Sequence, residues 1–580
     1  MTRRSILAAT AACLAWACAD VGADPETADL VLTGGRVVTV DEALPEARAV
    51  AVRGDRILAV GSEEEIGARV GPSTEVVELE GRLVVPGFIE GHGHFLSLGR
   101  SKMILDLTTA ASWDDIVALV AEAAREAAPG EWIQGRGWHQ EKWDRVPEPA
   151  VDGVPLHGSL SAVSPDNPVL LGHASGHAAF ANALALDAAG IDAATPDPDG
   201  GTIVRDASGA ATGLLRETAQ RLVSAAIAAS EEGRSEEERA AEFREQVRLA
   251  GEEALSKGVT SFHDAGSDFG TIDRLKGMAE GGQLPVRLYV MVRRESNEAM
   301  AENLPRYRMI GHADHFLTVR SIKRQIDGAL GSHGAWLLEP YEDMPESTGL
   351  VLEPVDDIEE TARLALRHGF QVNTHAIGDR ANREVLDLYE RAFAEAGVPG
   401  DTLRWRIEHA QHLHPDDVPR FRELGVIAAM QGVHATSDGP WVFLRLGEER
   451  ARTGAYVWRD LLDAGVVIAN GTDVPVEDID PIASFHASTL RRMADGEVFF
   501  PGQRMTREEA LRSYTLDAAY AAFEEDVKGS ITPGKLADFA VLSKDILTVP
   551  EDEVPTAVVD LTILGGRVRY RRPDRVAGTR

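Results

Sequence analysis

The stretch LVVPGFIEGHGH, Leu83 to His94, places two imidazoles two residues apart at the end of an apolar run. Side chains alternate along a strand, so His92 and His94 point the same way and can both reach one ion. The glycines around them leave room close to the backbone. Spacing alone carries little weight in a chain with 17 histidines, and His412 and His414 repeat it. Context separates the two pairs, because later apolar runs deliver groups of the same kind. One carries Lys323, another ends in Asn373-Thr374-His375, a third in Glu408-His409 and a last in Gly471-Thr472-Asp473. Imidazole and carboxylate suit zinc and similar divalent ions, so the set points to metal-assisted chemistry.

The elements that must position these groups follow from the apolar patterning. Eight strand candidates alternate with helical patterns: Leu83–Glu90, Val259–His263, Val286–Val292, Val319–Gln325, Gln371–Thr374, Leu403–Glu408, Val426–Met430 and Val466–Asn470. Eight βα units predict an α/β fold of (β/α)8 TIM type, in which functional residues sit at the C-terminal strand ends. A doubly wound sheet is the alternative, but no Gly-rich nucleotide turn follows the first strand. Residues from about 96 to 251 break the alternation and read as a large insertion after the first strand, emerging at the barrel mouth as a lid and specificity element.

Weaker candidates surround the six. Trp138, His173 and His177 lie in the insertion and are expected near the substrate, with packed or structural roles as the competing reading. His263 ends the second strand, Asp327 and His333 follow Lys323, and His434 follows the seventh strand; all four are expected at the pocket. His412 and His414 read as solvated loop residues.

Both ends of the chain read as short strands and turns, and ILGGRVRY near the C-terminus echoes LTGGRVVTV near the start. Residues 28–83 and 528–572 are therefore expected to pair into one small β-sandwich flanking a barrel of residues 84–527. Residues 1–23 have the outline of a signal peptide: Arg3 and Arg4, an apolar run from Ile6 to Trp16, then small residues. The opening TRRSIL resembles a twin-arginine signal, and Cys18 is a candidate lipid anchor, although Ala15 stands where a lipobox usually carries leucine. Export to the periplasm, or anchoring there as a lipoprotein, is expected. Cys13 and Cys18 are the only cysteines of the 580 residues, so none remains beyond the leader for a disulfide or a thiolate site. With 59 Lys and Arg against 93 Asp and Glu, the balance of −34 argues against nucleic acid and anionic membranes as partners. A small-molecule substrate is expected, and a homo-oligomer is compatible with the sequence.

Several stretches together, VVPGFIEGHGH, GHASGHAAFANALAL, GVTSFHDAG, IKRQIDGALGS, NTHAIGDRAN, RIEHAQ, NGTDVPVEDIDP and KGSITPGKLADFAVL, resemble the amidohydrolase superfamily. The nearest likeness is amidohydrolase family 3, the N-substituted formamide deformylase-like branch, over almost the whole chain after the leader. The resemblance implies the barrel with a two-part β-sandwich. It implies one divalent ion, zinc first, on His92, His94 and Asp473, and a second on His375 and His409, with Lys323 bridging as a carboxylated lysine. One ion, with Lys323 an ammonium paired to Asp327, is the alternative. The implied reaction is hydrolysis of a non-peptide C–N bond of amide type, N-acyl or N-formyl, by metal-activated hydroxide with Asp473 as general base and then acid. Ester or lactone hydrolysis, a lyase or isomerase step, and a non-catalytic exported binding protein are the other readings. The chain departs from the family pattern at Gln431-Gly432, at Ser332-His333 and in the polar run Lys323 to Asp327, all on the presumed substrate side.

Overall fold

The computed structural model describes residues 27–573. The leader, with its twin-arginine motif and Cys18, lies outside the described residues. Eight strands form one parallel sheet in chain order: β1 (Phe88–Gly93), β2 (Val259–Ser267), β3 (Arg287–Val292), β4 (Leu317–Gln325), β5 (Gln371–Ala376), β6 (Arg406–His409), β7 (Ile427–Gln431) and β8 (Ile468–Gly471). Each pairs with the next in parallel register. These strands are buried along almost their whole length, which is why they read as continuous apolar runs rather than alternating ones.

The sheet curls until its last strand meets its first. Asp473 N–H donates to His92 O, and His94 N–H to Val474 O, each at 2.7 Å. Gly91 and Gly471 make this seam possible. A Cβ on Gly91 would lie 2.3 Å from Asn470 O, and one on Gly471 would lie 2.6 Å from His92 N. The glycine expected to clear space for an ion therefore admits the backbone of β8. The result is a nearly closed eight-stranded barrel of TIM type.

The first strand candidate, Leu83–Glu90, divides. Leu83–Pro86 is a strand of a different sheet, pairing antiparallel with Phe539–Leu542 and parallel with Arg36–Val38. Pro86 has no N–H to extend a ladder. Gly87, where a Cβ would lie 2.2 Å from Thr260 Oγ1, carries the chain across into the barrel. That second sheet has six strands drawn from both ends of the chain. It shares an apolar core with a four-stranded sheet of residues 30–78, through Leu32, Val50, Val84, Phe539 and Ile563.

Between β1 and β2 the chain builds a further six-stranded sheet, ordered Gly201–Arg205, Ala211–Glu217, Ala178–Ala181, Val169–His173, Ile133–Trp138 and Leu105–Asp106. Its interior holds Trp113, Trp138, Leu171 and Phe180. The sequence reads this segment only as an insertion that breaks the βα alternation. Strands such as IQGRGW and GTIVR carry glycine and arginine inside short apolar runs, which hides them from a periodicity argument.

Candidate functional site

Five of the eight strands aim polar groups at one patch of the barrel mouth. His92 Nε2 lies 3.6 Å, and His94 Nε2 3.2 Å, from Asp473 Oδ1. A ligand atom from each of these three residues falls within 4.8 Å of the others. Lys323 Nζ is 3.4 Å from His92 Nε2. The His409 ring lies 4.7 Å from that of His92 and 4.4 Å from that of His375. His92, His375, His409, Lys323 and Asp473 are buried, while the His94 side chain, at 27% exposure, faces the opening. His409 and Asp473 both adopt left-handed backbone conformations, with φ of 77° and 57°. For non-glycine residues such geometry costs about 1–3 kcal/mol each and persists where the surroundings impose it.

The ring nitrogens facing away from the patch have partners. His92 Nδ1 bonds Glu408 Oε2, and Glu408 is itself held by Arg406, whose Nε lies 2.7 Å from Oε1 and whose Nη2 lies 2.9 Å from Oε2. Burial opposes the charge on Glu408, but Arg406 and His92 outweigh it and hold the carboxyl below the ordinary range. Burial, then Lys323, pushes His92 down to about 4, so the ring is neutral. Its Nδ1 proton belongs to the Glu408 bond, and the Nε2 lone pair turns toward Asp473 and Lys323. At His409, Nδ1 bonds Gln431 Oε1 at 2.8 Å, while the Gln431 amide nitrogen donates to Ala429 O at 3.1 Å, which fixes the amide orientation. Gln431, the residue before the departure from the family pattern at Gly432, thus sets the tautomer of His409. His375 Nε2 is buried without a hydrogen-bond partner. An ion is one of the groups that can complete such a nitrogen.

Lys323 makes no ion pair among the described residues, and burial pushes its amine down to about 7. The expected alternative partner is committed elsewhere. Asp327 accepts the backbone N–H groups of Trp336, Ile377 and Gly378 at 2.9, 3.0 and 2.8 Å, so the Lys323–Asp327 pair does not form. Asp327 organises the loops after β4 and β5 and lies 3.5 Å from His375 Nε2. Burial raises its carboxyl to about 7.

The weaker candidates divide. His434 stacks near-parallel on His409 at 6.5 Å and bonds Gln411 at 3.1 Å, so it borders the patch. His263 is fully buried behind it, 3.2 Å from Arg406 and tilted against Tyr289. His177 bonds Glu217 at 2.9 Å, and Ser332 Oγ donates to the same carboxylate at 3.1 Å, joining the six-stranded sheet to the loop after β4. Burial lowers His177 but Glu217 prevails, and its pKa rises. His333 pairs with Asp343 at 3.1 Å, half exposed. Trp138 is packed inside the six-stranded sheet, with its indole N–H on Leu171 O at 2.8 Å, and His173 lies edge-on beside it, bonded to Ser175 and Gln140. His414 caps a short 3-10 turn at the surface. His412 reverses expectation: it is buried edge-on to Tyr456 with neither ring nitrogen bonded, and burial pushes it down to about 3.

Three further positions matter that patterning alone did not select. Glu90, two residues before His92, accepts Thr472 N–H at 2.6 Å and Thr472 Oγ–H at 3.0 Å, fixing the turn that carries Asp473. Burial raises it to about 8. Arg406 and Glu408 form the buried pair behind His92. Glu90 shares the face of His92 on β1, and Arg406 and Glu408 share one face of β6. Arg136, from the six-stranded sheet, reaches across to Pro475 O and donates to Ala174 O at 2.8 Å. It thereby ties that sheet to the backbone two residues past Asp473. Arg136→Met is expected to lower kcat by ~10-fold to 10²-fold through misplacement of this turn, with metal content unchanged; equal loss of metal would place Arg136 in the metal site's support instead.

The profile of the amidohydrolase family (Amidohydro_3) matches residues 75–570. Protein LONG AFTER FAR-RED 3 of Arabidopsis thaliana is 36% identical over 562 residues, covering 94% of this chain and 92% of its own length. N-substituted formamide deformylase of Arthrobacter pascens is 29% identical, covering 94% and 98%. Among solved structures, an uncharacterized metal-dependent hydrolase from Pyrococcus horikoshii OT3 superposes with a TM-score of 0.72 at 26% identity, covering 90% of this chain and 99% of that one. With the profile spanning most of its length and hydrolases among its relatives, the chain belongs to the amidohydrolase family.

Proposed function

We propose that the protein is a metal-dependent hydrolase of a non-peptide C–N bond of amide type, an N-acyl or N-formyl amine of small size. The observation that carries the reading is the orientation of the donors. His92 and His409 have their outer nitrogens occupied by Glu408 and Gln431, His375 Nε2 is buried and unpaired, and Asp473 stands between His92 and His94. This set of imidazoles and a carboxylate fits a divalent ion of the zinc type. His92, His94 and Asp473 would hold one ion, and His375 and His409 a second. Burial pushes the amine of Lys323, 3.4 Å from His92, down to about 7, so a share of it is free base near neutrality; that amine would add carbon dioxide, lose a proton and supply a carbamate oxygen as a further ligand. A bound ion of this kind polarises a carbonyl and acidifies water.

The protein's own groups supply the rest. Burial opposes the charge on Asp473, but the hydrogen bond from His94 leads the groups that hold its carboxyl well below the ordinary range. Asp473 takes a proton from the attacking water as its oxygen adds to the carbonyl carbon, and returns it to the nitrogen as the C–N bond breaks. His177, linked through Glu217 to Ser332 in the loop after β4, and His434, beside His409, are the side chains this reading assigns to the substrate. The deformylase relative supports an N-formyl or similar small acyl group. In this reading residues 84–527 are the catalytic unit, residues 96–251 cover its mouth, and the end sheets of 28–83 and 528–572 form a β-sandwich beside it.

The test is amine release from a panel of N-formyl and N-acyl amines, run beside matched esters and lactones. Turnover of the esters alone would overturn the C–N assignment. Metal analysis distinguishes one ion from two. About two ions per chain are expected, as in two-metal hydrolytic sites, and Lys323→Ala is expected to lower the content to about one or less. The His92, His94 and Asp473 trio is compact enough to serve a single ion alone. Content near one that Lys323→Ala leaves unchanged would identify that case.

A further inference from the structure

Arg287 and Arg406 are buried and paired with the carboxylates of Asp538 and Glu408, while the buried Arg491 ends on the carbonyls of Phe499 and Tyr456. Arg293, partly buried, pairs with no carboxylate among the described residues. It is the first residue past β3, one step beyond Val292, which pairs in register with Ile322, so it stands level with Lys323 on the next strand. Its backbone N–H donates to Ser267 O at 2.9 Å, and its side chain lies across Gly266. A Cβ on Gly266 would lie 2.4 Å from Arg293 Cβ and 2.5 Å from its Cδ, and Gly266 has a φ of +129°. That glycine is the cradle that lets the side chain run along the rim. There Nη2 donates to Gln325 Oε1 at 2.8 Å and Nη1 to Ala265 O at 3.4 Å.

Both acceptors are neutral. Among the described residues no carboxylate stands within ion-pair distance of Arg293. Glu353 is held by Arg324 at 2.9 Å. A guanidinium has five N–H donors and stays charged at any working pH. A half-buried cation left without a counter-ion costs free energy unless another group completes it. Arg136 also lacks a carboxylate, but its bonded donors end on the carbonyls of Pro475 and Ala174, and it reads as a tie. Arg293 bonds through one hydrogen of each Nη, its remaining donors have no partner among the described residues, and its backbone stands level with Lys323.

We propose that Arg293 binds a carboxylate carried by the substrate, so that the site takes amides bearing an anionic group near the scissile C–N bond. The planar fork of arginine matches a carboxylate in two parallel bonds, which neither Lys nor a neutral donor reproduces. The inference rests on the amidohydrolase reading.

Matched pairs test it: N-acyl amino acids against their carboxamides, with the same acyl groups, offered to the metal-loaded full-length chain. Binding is read by calorimetry and turnover by amine release, for the wild type, Arg293→Gln and Arg293→Lys. The carboxylate member is expected to bind at least about tenfold tighter, as charge-assisted bonds of this kind allow. Arg293→Gln should abolish that preference while leaving carboxamide binding within about twofold, and Arg293→Lys should retain part of it. No preference in any pair, or one that survives Arg293→Gln, overturns the assignment. Carboxylate-selective binding without amine release would keep Arg293 in its role and sink the hydrolase reading. Amine release from the carboxamides with no carboxylate preference would do the reverse.

Discussion

Asp473→Asn is expected to yield a folded protein that still takes up metal but turns over ~10³-fold more slowly, within the range assigned to a lost general acid–base. The substitution keeps size and the backbone conformation at φ 57° while removing the atom that accepts and returns the proton. Asn also keeps an oxygen toward His92 and His94. His92→Ala is the contrast. It removes a ring at the centre of the patch, within 3.4–3.6 Å of Lys323 and Asp473, and is expected to lose metal and activity together. Metal analysis of both variants beside kcat separates the roles. Turnover in Asp473→Asn within about tenfold of wild type would remove Asp473 from the proton path.

Much of this arrangement was legible in the chain because the barrel strands are buried on both faces and end in polar residues. All eight strand positions coincide with apolar runs, and the six ionisable residues singled out at their ends meet at one mouth. The errors have identifiable causes. Leu83–Glu90 looks like one apolar run, and only the missing N–H of Pro86 and the crowding of Gly87 by Thr260 divide it between two sheets. The sheet between residues 105 and 217 is built from strands interrupted by glycine, arginine and histidine, so no alternation marks them and the segment reads only as an insertion. His412 repeats the H-x-H spacing and was expected in solvent. The chain buries it instead against Tyr456, through contacts distant in sequence. The same limit hid Glu90, Arg406 and Glu408. A charged residue on an apolar strand reads as an exposed edge until closure of the barrel encloses it, and closure depends on the meeting of residues 91 and 470.

The largest effect on stability is expected from that enclosed charge. Arg406 is fully buried, with Nη2 on Gly91 O at 2.7 Å and on Glu408 Oε2 at 2.9 Å, and Nη1 on His263 at 3.2 Å. Arg406→Met fills similar volume but leaves Glu408 buried with only His92 as partner. Removing one member of a buried pair costs about 3–5 kcal/mol, because the remaining charge stays out of water. The sign with pH follows from the carboxyl. In the wild type Glu408 titrates below its unfolded value of about 4.3, so its contribution is complete above that pH and is lost only as pH falls toward the folded value. Without Arg406 the term that outweighed burial is gone, and the carboxyl moves up. Arg406→Met should therefore unfold at lower temperature than wild type at pH 7, with the gap narrowing as the pH is lowered through the unfolded carboxyl range. Glu408→Gln provides the control: it removes the charge that holds the His92 tautomer, and metal affinity should fall ~10-fold to 10²-fold as for other outer partners of metal-binding histidines. A thermal midpoint for Arg406→Met equal to wild type at pH 7 would show that water or a neighbouring group reaches Glu408, and that the pair orients His92 without supporting the fold.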